Sequence, residues 1–244
     1  MAIGTFSNHN WGFFMLHIDI LQKSFGHHLI LDVQNLSFPA GVHFIIGPNG
    51  AGKTTFLKCL AGIHPFKGEV SLLEAIDLQR DHVAHRRAIN FSEAEPIFPR
   101  YLRGQELLDL VLAAKGGTMA QAKAFKDAVG INYLDQKVGT YSSGMKKKLA
   151  LLLAFLGKPK LILLDEPFAA VDQASRLVLT RLIQAAANEG ISFFISSHLR
   201  DLHAAFGEGQ VHLLEEKSFR EVREVEVEKW LVQDLEMGNI EVAQ

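Results

Sequence analysis

Val42-His43-Phe44-Ile45-Ile46-Gly47-Pro48-Asn49-Gly50-Ala51-Gly52-Lys53-Thr54-Thr55 decides how this chain is read. The compact apolar run Val42 to Ile46 predicts a buried strand, the glycine-rich segment breaks it, and Lys53 to Ala61 follows with a helix pattern stopped by Gly62. Within it, Gly47-x-x-x-x-Gly52-Lys53-Thr54 is a phosphate-loop pattern in the strand–loop–helix setting that its mechanism requires. Glycines let backbone N–H groups turn inward around phosphate oxygens, and the helix N-terminus adds a favourable dipole. Lys53 reaches the β- and γ-phosphates, and Thr54 can ligate Mg²⁺. Gly47, Pro48, Asn49, Gly50, Ala51, Gly52, Lys53, Thr54 and Thr55 are therefore candidate nucleotide-binding residues, with Thr54 also a candidate metal ligand.

Working outward, Leu161-Ile162-Leu163-Leu164-Asp165-Glu166 is an apolar strand that delivers two carboxylates at its C-terminal end, the edge where α/β sheets bind ligands. Asp165 is expected to face the Mg²⁺ shell. Glu166 beside it can polarise or deprotonate an attacking water, which points to hydrolysis rather than simple holding of a nucleotide. Ser196-Ser197-His198 closes the next predicted strand, so His198 emerges at the same edge, where an imidazole can contact the γ-phosphate and orient water.

Further strands are expected at Leu16 to Leu21, Gly68 to Leu73, Ala88 to Ser92, Ile191 to Ser196 and Gln210 to Leu214. Helices are expected at Ser175 to Asn188 and Leu199 to Phe206, and between Tyr101 and Leu156 with breaks at Gly116-Gly117 and Gly130. The fold class is thus α/β: a parallel sheet carrying the phosphate loop, antiparallel N-terminal strands and an inserted helical subdomain. The expected unit spans 15–244, with a core over about 15–90 and 158–214, helices over about 97–157, and a C-terminal extension over about 215–244. The alternating Glu221 to Val227 stretch suggests an edge strand in that extension, followed by a closing helix.

Composition narrows the function classes. In 244 residues, 48% hydrophobic and 21% charged is ordinary globular usage, which excludes a disordered chain or a rod. A net charge of −2 supplies no global field for nucleic acid, so none is expected as a partner. The single cysteine, Cys59, cannot form an internal disulfide; it reads as a small core residue in a reducing compartment. The longest apolar run, Leu149 to Leu156, is far short of the roughly 20 residues that span hydrocarbon. Residues 1–14 lack a charged n-region and a cleavage pattern. Work at a membrane would therefore need another chain as anchor. Lys146-Lys147-Lys148 reads as a solvated helix face, and His82 with His85 has helical spacing but no third metal ligand in view.

Tyr141-Ser142-Ser143-Gly144-Met145-Lys146-Lys147-Lys148 resembles the signature motif of ATP-binding cassette (ABC) ATPases, in its S-x-G-M variant, just upstream of the Asp165 strand and opening a helix. The likeness runs from about Met15 to Leu214. It implies a P-loop NTPase core that binds ATP and Mg²⁺, with Asp165 as the Walker B aspartate, Glu166 as general base and His198 as the switch histidine. It also implies that Ser142, Gly144 and Met145 contact ATP held by the other protomer, that Phe25 stacks on adenine, and that Asp172, in Ala170-Val171-Asp172, belongs to the D-loop. The partners it implies are integral-membrane permease subunits and a second cassette, as a homodimer, on the cytoplasmic face of the cell membrane. The signature looks most like those of exporter-type cassettes. A soluble single-cassette ATPase acting on a protein assembly or a nucleic-acid machine is the alternative. The chain departs from the family pattern at one point: Ala94 stands where the Q-loop glutamine is found, so either Glu93 or Glu95 substitutes, or hydrolysis and its coupling are altered.

Overall fold

A computed structural model describes residues 15–169, 172–197 and 209–222. Ten strands and six α-helices alternate through these residues. They are β1 (Leu16–Phe25), β2 (His28–Phe38), β3 (Val42–Ile46), α1 (Lys53–Leu60), β4 (Lys67–Leu72), β5 (Ile76–Asp77), α2 (His82–Ala88), β6 (Ile89–Ser92), α3 (Gly104–Lys115), α4 (Met119–Val129), α5 (Ser143–Ala154), β7 (Leu161–Asp165), α6 (Gln173–Asn188), β8 (Ser192–Ser196), β9 (Gln210–Glu215) and β10 (Ser218–Glu221).

A six-stranded sheet in the order β10-β9-β3-β8-β7-β6 is parallel except for its β9/β10 edge pair. A four-stranded antiparallel sheet in the order β2-β1-β4-β5 forms a separate layer. The parallel strands are apolar in sequence because both of their faces are covered, and alternation sends successive residues to opposite cores. Ile45, Leu161, Leu163 and Phe194 join β1, β2 and α1 in one core. Phe44, Ile46, Ile162, Leu164, Phe193 and Ile195 join α3–α6 in the other. Phe38, Phe44, Phe56, Phe193 and Phe194 are fully buried, each contributing roughly 2–3 kcal/mol of transfer free energy.

The expected strands and helices recur with shifts of a residue or so, except at the N-terminus and in the tail. β1 runs on to Phe25 and pairs with β2, an element absent from the sequence pattern. Asn35 explains the omission: its φ of 50° shifts the alternation within the strand, so Leu36 and Phe38 fall out of phase in sequence with the buried Leu31 and Val33. In the tail, the edge strand is Ser218–Glu221, set by a two-residue turn at Glu216 and Lys217, both at positive φ. The expected strand beyond it, the closing helix, the Leu199 to Phe206 helix and His198 lie outside the described residues.

Two buried histidines inside the sheet are paired with each other. His43 on β3 donates from Nε2 to the Pro39 carbonyl (2.8 Å), so its Nδ1 accepts from His212 Nε2 on β9 (3.0 Å). Burial lowers the affinity of both for protons, pushing His212 down to about 4, and this histidine pair is structural and neutral.

Candidate functional site

β3 runs into the loop at the C-terminal edge of the parallel sheet, and α1 leaves it directly. Gly47 has a φ of 154°, and a Cβ there would collide with the Leu214 carbonyl oxygen, so only glycine fits. Gly52 caps α1 at a φ of 103° with no side-chain cap, and no acidic residue occupies the first turn. The N-terminus of α1 is thereby left to an external anion. Lys53 is buried and folds back over the loop, donating to the carbonyls of Gly47 (2.7 Å) and Pro48 (3.1 Å). Burial lowers its pKa, while Glu166 and Asp165 pull it back up. An ammonium this buried is screened little by solvent, so it would attract an anion entering the loop strongly.

A cavity of about 250 Å³ opens over this loop, lined by Phe25, Ile30, Asn49, Gly50, Gly52, Lys53, Thr54, Thr55 and Glu166. The structure thus brings together Asn49, Gly50, Gly52, Lys53, Thr54 and Thr55 of the phosphate loop with Phe25 and Glu166, which lie 141 positions apart in sequence, while Gly47, Pro48 and Ala51 do not line the cavity. Phe25 is 47% exposed; the Lys23 ammonium sits 4.6 Å from its ring centre and the His64 ring meets it edge-on at 5.4 Å.

Asp165 is buried beneath Thr54. Its Oδ1 accepts from Thr54 Oγ1 (3.2 Å) and from Ser196 Oγ (2.5 Å), whereas its Oδ2 is buried with no hydrogen-bond partner among the described residues. A buried carboxylate oxygen without a donor, beside a threonine hydroxyl, is the donor set of a hard divalent cation such as Mg²⁺. Sequence reasoning misses Ser196, yet it is the register partner of Asp165 across β7 and β8. The parallel pairing of the two strand ends, both legible in sequence, is the signal that could have found it.

Glu166 comes next in the chain, at a φ of 44°, a left-handed backbone seldom adopted by a non-glycine residue. Its N–H donates to Ser196 Oγ (3.0 Å) and to the Ser196 carbonyl (3.2 Å). Glu166 lines the same cavity as Lys53; a carboxylate there can accept a proton from water, and Lys53 with the loop N–H groups can hold the phosphates under attack.

Ser142, Gly144, Met145 and Asp172 do not line this cavity. Ser142 is exposed and caps α5, accepting from the Met145 N–H (3.2 Å). Asp172 caps α6 through the Ser175 N–H (2.8 Å) and hydroxyl (2.7 Å), contacts that hold its carboxyl below the usual carboxylate range. Ala170, Val171 and His198 lie outside the described residues.

The loop after β6 holds the two carboxylates weighed for the place of the Q-loop glutamine. Glu93 turns its carboxylate to Lys58 of α1 at 2.9 Å, Glu95 is exposed, and neither lines the cavity. The lysine run is not a solvated face: Lys147 is buried and donates to the carbonyls of Glu93, Ala94 and Asp165. Burial, partly offset by the carboxylates of Asp165, Glu166 and Glu93, brings its pKa down to about 8. Of the two spaced histidines, His85 is buried against the Leu60 carbonyl (Nε2, 2.6 Å), an internal hydrogen bond.

Known proteins share this geometry and much of the sequence behind it. Residues 31–169 match the model of the ABC transporter family. The chain is 32% identical over 187 residues to a lantibiotic transport ATP-binding protein, SrtF, of Streptococcus pyogenes, covering 76% of this chain and 80% of that protein. It is 32% identical over 185 residues to the cytochrome c biogenesis ATP-binding export protein CcmA of Legionella pneumophila, covering 74% and 92%. Among solved structures, the ATP-binding subunit of an ABC transporter superposes with a TM-score of 0.76 at 22% identity, covering 89% of this chain and 94% of that one. A nucleotide-free cassette from an ABC transporter gives 0.71 at 21% identity, covering 95% and 100%.

Proposed function

The chain belongs to the ABC transporter ATP-binding family and is an ATP hydrolase, and from that premise we propose that two copies close head to tail around two ATP molecules to drive transport by separate membrane subunits. The observation that carries this reading is a divided site. Lys53 and Glu166 wall one cavity, whereas Ser142 stands exposed at the start of α5, outside it. A second protomer supplies the missing wall, with Ser142, Gly144 and Met145 of one chain over the phosphates held by the other, and Asp172 at the same junction.

Within the cavity Phe25 stacks on the base, Lys53 and the loop N–H groups of Gly50 to Thr55 hold the phosphates, and Glu166 takes the proton of the attacking water. By resemblance, His198 contacts the γ-phosphate. Thr54 and Asp165 would hold Mg²⁺, which supplies charge neutralisation at the phosphate oxygens when bound. Strained backbone at Glu166 fits a group aimed by its surroundings rather than by its own preference.

Among the described residues no helix is long and apolar enough to cross a membrane. In this reading the membrane subunits are separate chains, and the cassette sits on the cytoplasmic face. The segment between β6 and α3 fits their contact, because it leaves Ile97 89% and Tyr101 73% exposed. One relative is named for lantibiotic transport, which supports a transport role, and the other is named as a cytochrome c biogenesis export protein, which supports export.

A tagged Glu166→Gln chain purified with saturating ATP from its native cells, membrane and soluble fractions apart, tests the assignment. Recovery as an ATP-bound dimer with a multi-span membrane protein is expected, with cleavage slowed about 10²-fold to 10⁴-fold. A monomer would overturn the closed sandwich. Recovery only from the soluble fraction, with a protein or nucleic-acid assembly, would replace transport by a switch.

A further inference from the structure

Lys147 projects from α5 into a place where an isolated ammonium would be unfavourable. It is 3% exposed. Its Nζ donates to the carbonyls of Glu93 (2.9 Å), Ala94 (3.2 Å) and Asp165 (2.8 Å), so its three N–H groups all have acceptors. The Asp165 carbonyl belongs to the same peptide unit as the Glu166 N–H. Ser196 holds that N–H through its hydroxyl and its carbonyl. The peptide leading into Glu166 is therefore gripped at both ends, by α5 on one side and β8 on the other.

The grip bears directly on the next residue in the chain. Glu166 adopts a φ of 44°, and a non-glycine residue stays in the left-handed region only where its surroundings over-determine it. Rotation φ is measured from the plane of the preceding peptide, so the orientation of that plane sets where the Glu166 side chain leaves the backbone. The other two Lys147 hydrogen bonds fasten the loop after β6. Glu93 in that loop reaches Lys58 of α1 at 2.9 Å, so the chain of contacts ends on the helix of the phosphate loop.

We propose that Lys147 is a positioning residue for hydrolysis: by gripping the Asp165 carbonyl together with those of Glu93 and Ala94, it aims the Glu166 carboxylate and ties that aim to the position of α5. The role rests on Glu166 acting on water during ATP cleavage. Since α5 begins beside Ser142, a shift at its N-terminus reaches the Glu166 backbone through one side chain.

Full-length Lys147→Met and Lys147→Gln chains test this by single-turnover ATP cleavage with protein in excess, by ADP affinity, and by amide hydrogen exchange of Glu166 followed by NMR. Lys147→Met should slow cleavage about 10-fold to 100-fold, as expected when a reacting group is displaced by a fraction of an ångström to an ångström. Lys147→Gln, which keeps two donors, should fall between that variant and the wild type. ADP affinity should stay within about twofold, and the Glu166 amide should exchange faster in Lys147→Met. Cleavage within about twofold of wild type in both variants would overturn the proposal. A wild-type chain that cleaves no faster than Glu166→Gln would instead sink the assignment of Glu166 as base, and unchanged exchange at Glu166 would then overturn the clamp itself. Should Lys147→Met fail to fold, Lys147→Gln decides through the same readouts.

Discussion

Lys53 and Lys147 are both buried ammonium groups that feel Asp165 and Glu166, yet they are held in opposite ways. Lys53 stands at the head of α1 and donates to the carbonyls of its own loop, Gly47 and Pro48, acceptors it can exchange for phosphate oxygens. Lys147 donates to three carbonyls from two other parts of the chain, 54, 53 and 18 positions away, and does not line the cavity over the phosphate loop. In the proposed function one lysine serves a ligand, whereas the other joins elements of the protein. Buried charge is therefore no guide to function by itself; what separates the two is whether the acceptors can be replaced without breaking the fold.

The largest expected effect tests the first half of that contrast. Lys53→Ala removes charge-assisted contacts to phosphate of about 1.5–3 kcal/mol and should raise the ATP dissociation constant roughly 10-fold to 100-fold, measured by calorimetry. Lys147→Gln should leave the same constant nearly unchanged. Equal losses of affinity in the two variants would erase the distinction between ligand-facing and fold-facing lysine.

Phe25 sharpens the comparison at the other end of the cavity. Its ring is half exposed, with Lys23 near it on the strand and His64 at its edge, so it offers an aromatic surface that these neighbours leave partly open. Phe25→Ala should weaken ATP by about 1 kcal/mol, roughly fivefold, and Phe25→Tyr should recover most of it. A competition series with inorganic triphosphate separates base from phosphate: its affinity should respond to Lys53→Ala and ignore Phe25→Ala. If triphosphate binding fell in Phe25→Ala, the aromatic would be shaping the loop rather than meeting a base.

The same contrast explains how much is legible in the sequence. The phosphate loop, β3, α1 and the β7 carboxylates can be read because each rests on local chemistry: glycines at a forced turn, an apolar run with both faces covered, and a helix pattern beginning at Lys53. Lys147 looks solvated in sequence because a lysine triplet reads as surface, and nothing near it announces that acceptors converge from β7 and from the loop after β6. Ser196 is hidden for a related reason. Its importance lies in lying opposite Asp165 in a parallel pair, which is a matter of register between strands 31 positions apart. β2 escapes because one left-handed Asn35 shifts the alternation on which strand recognition depends.

Ala94 carries the smallest expected effect and the most direct challenge to the clamp. Glutamine is the family's residue there by resemblance, and its absence implies either that Glu93 or Glu95 takes its place or that hydrolysis and its coupling are altered. Neither carboxylate lines the cavity: Glu93 pairs with Lys58, and Glu95 is exposed. What the loop does contribute is backbone, since the carbonyls of Glu93 and Ala94 receive Lys147. Ala94→Gln leaves both carbonyls in place and adds a side chain to a half-buried position, so steady-state phosphate release at saturating ATP should change by less than about threefold, or roughly 0.65 kcal/mol in the barrier. A rise of about tenfold or more would mean that a missing side chain, not a fixed backbone, limits the reaction, and that fastening the loop through its carbonyls does not stand in for the glutamine. A change of less than about threefold combined with a large loss in Lys147→Met would assign the loop's contribution to its main chain, placing the difference between Lys53 and Lys147 in what each lysine holds rather than in the charge they share.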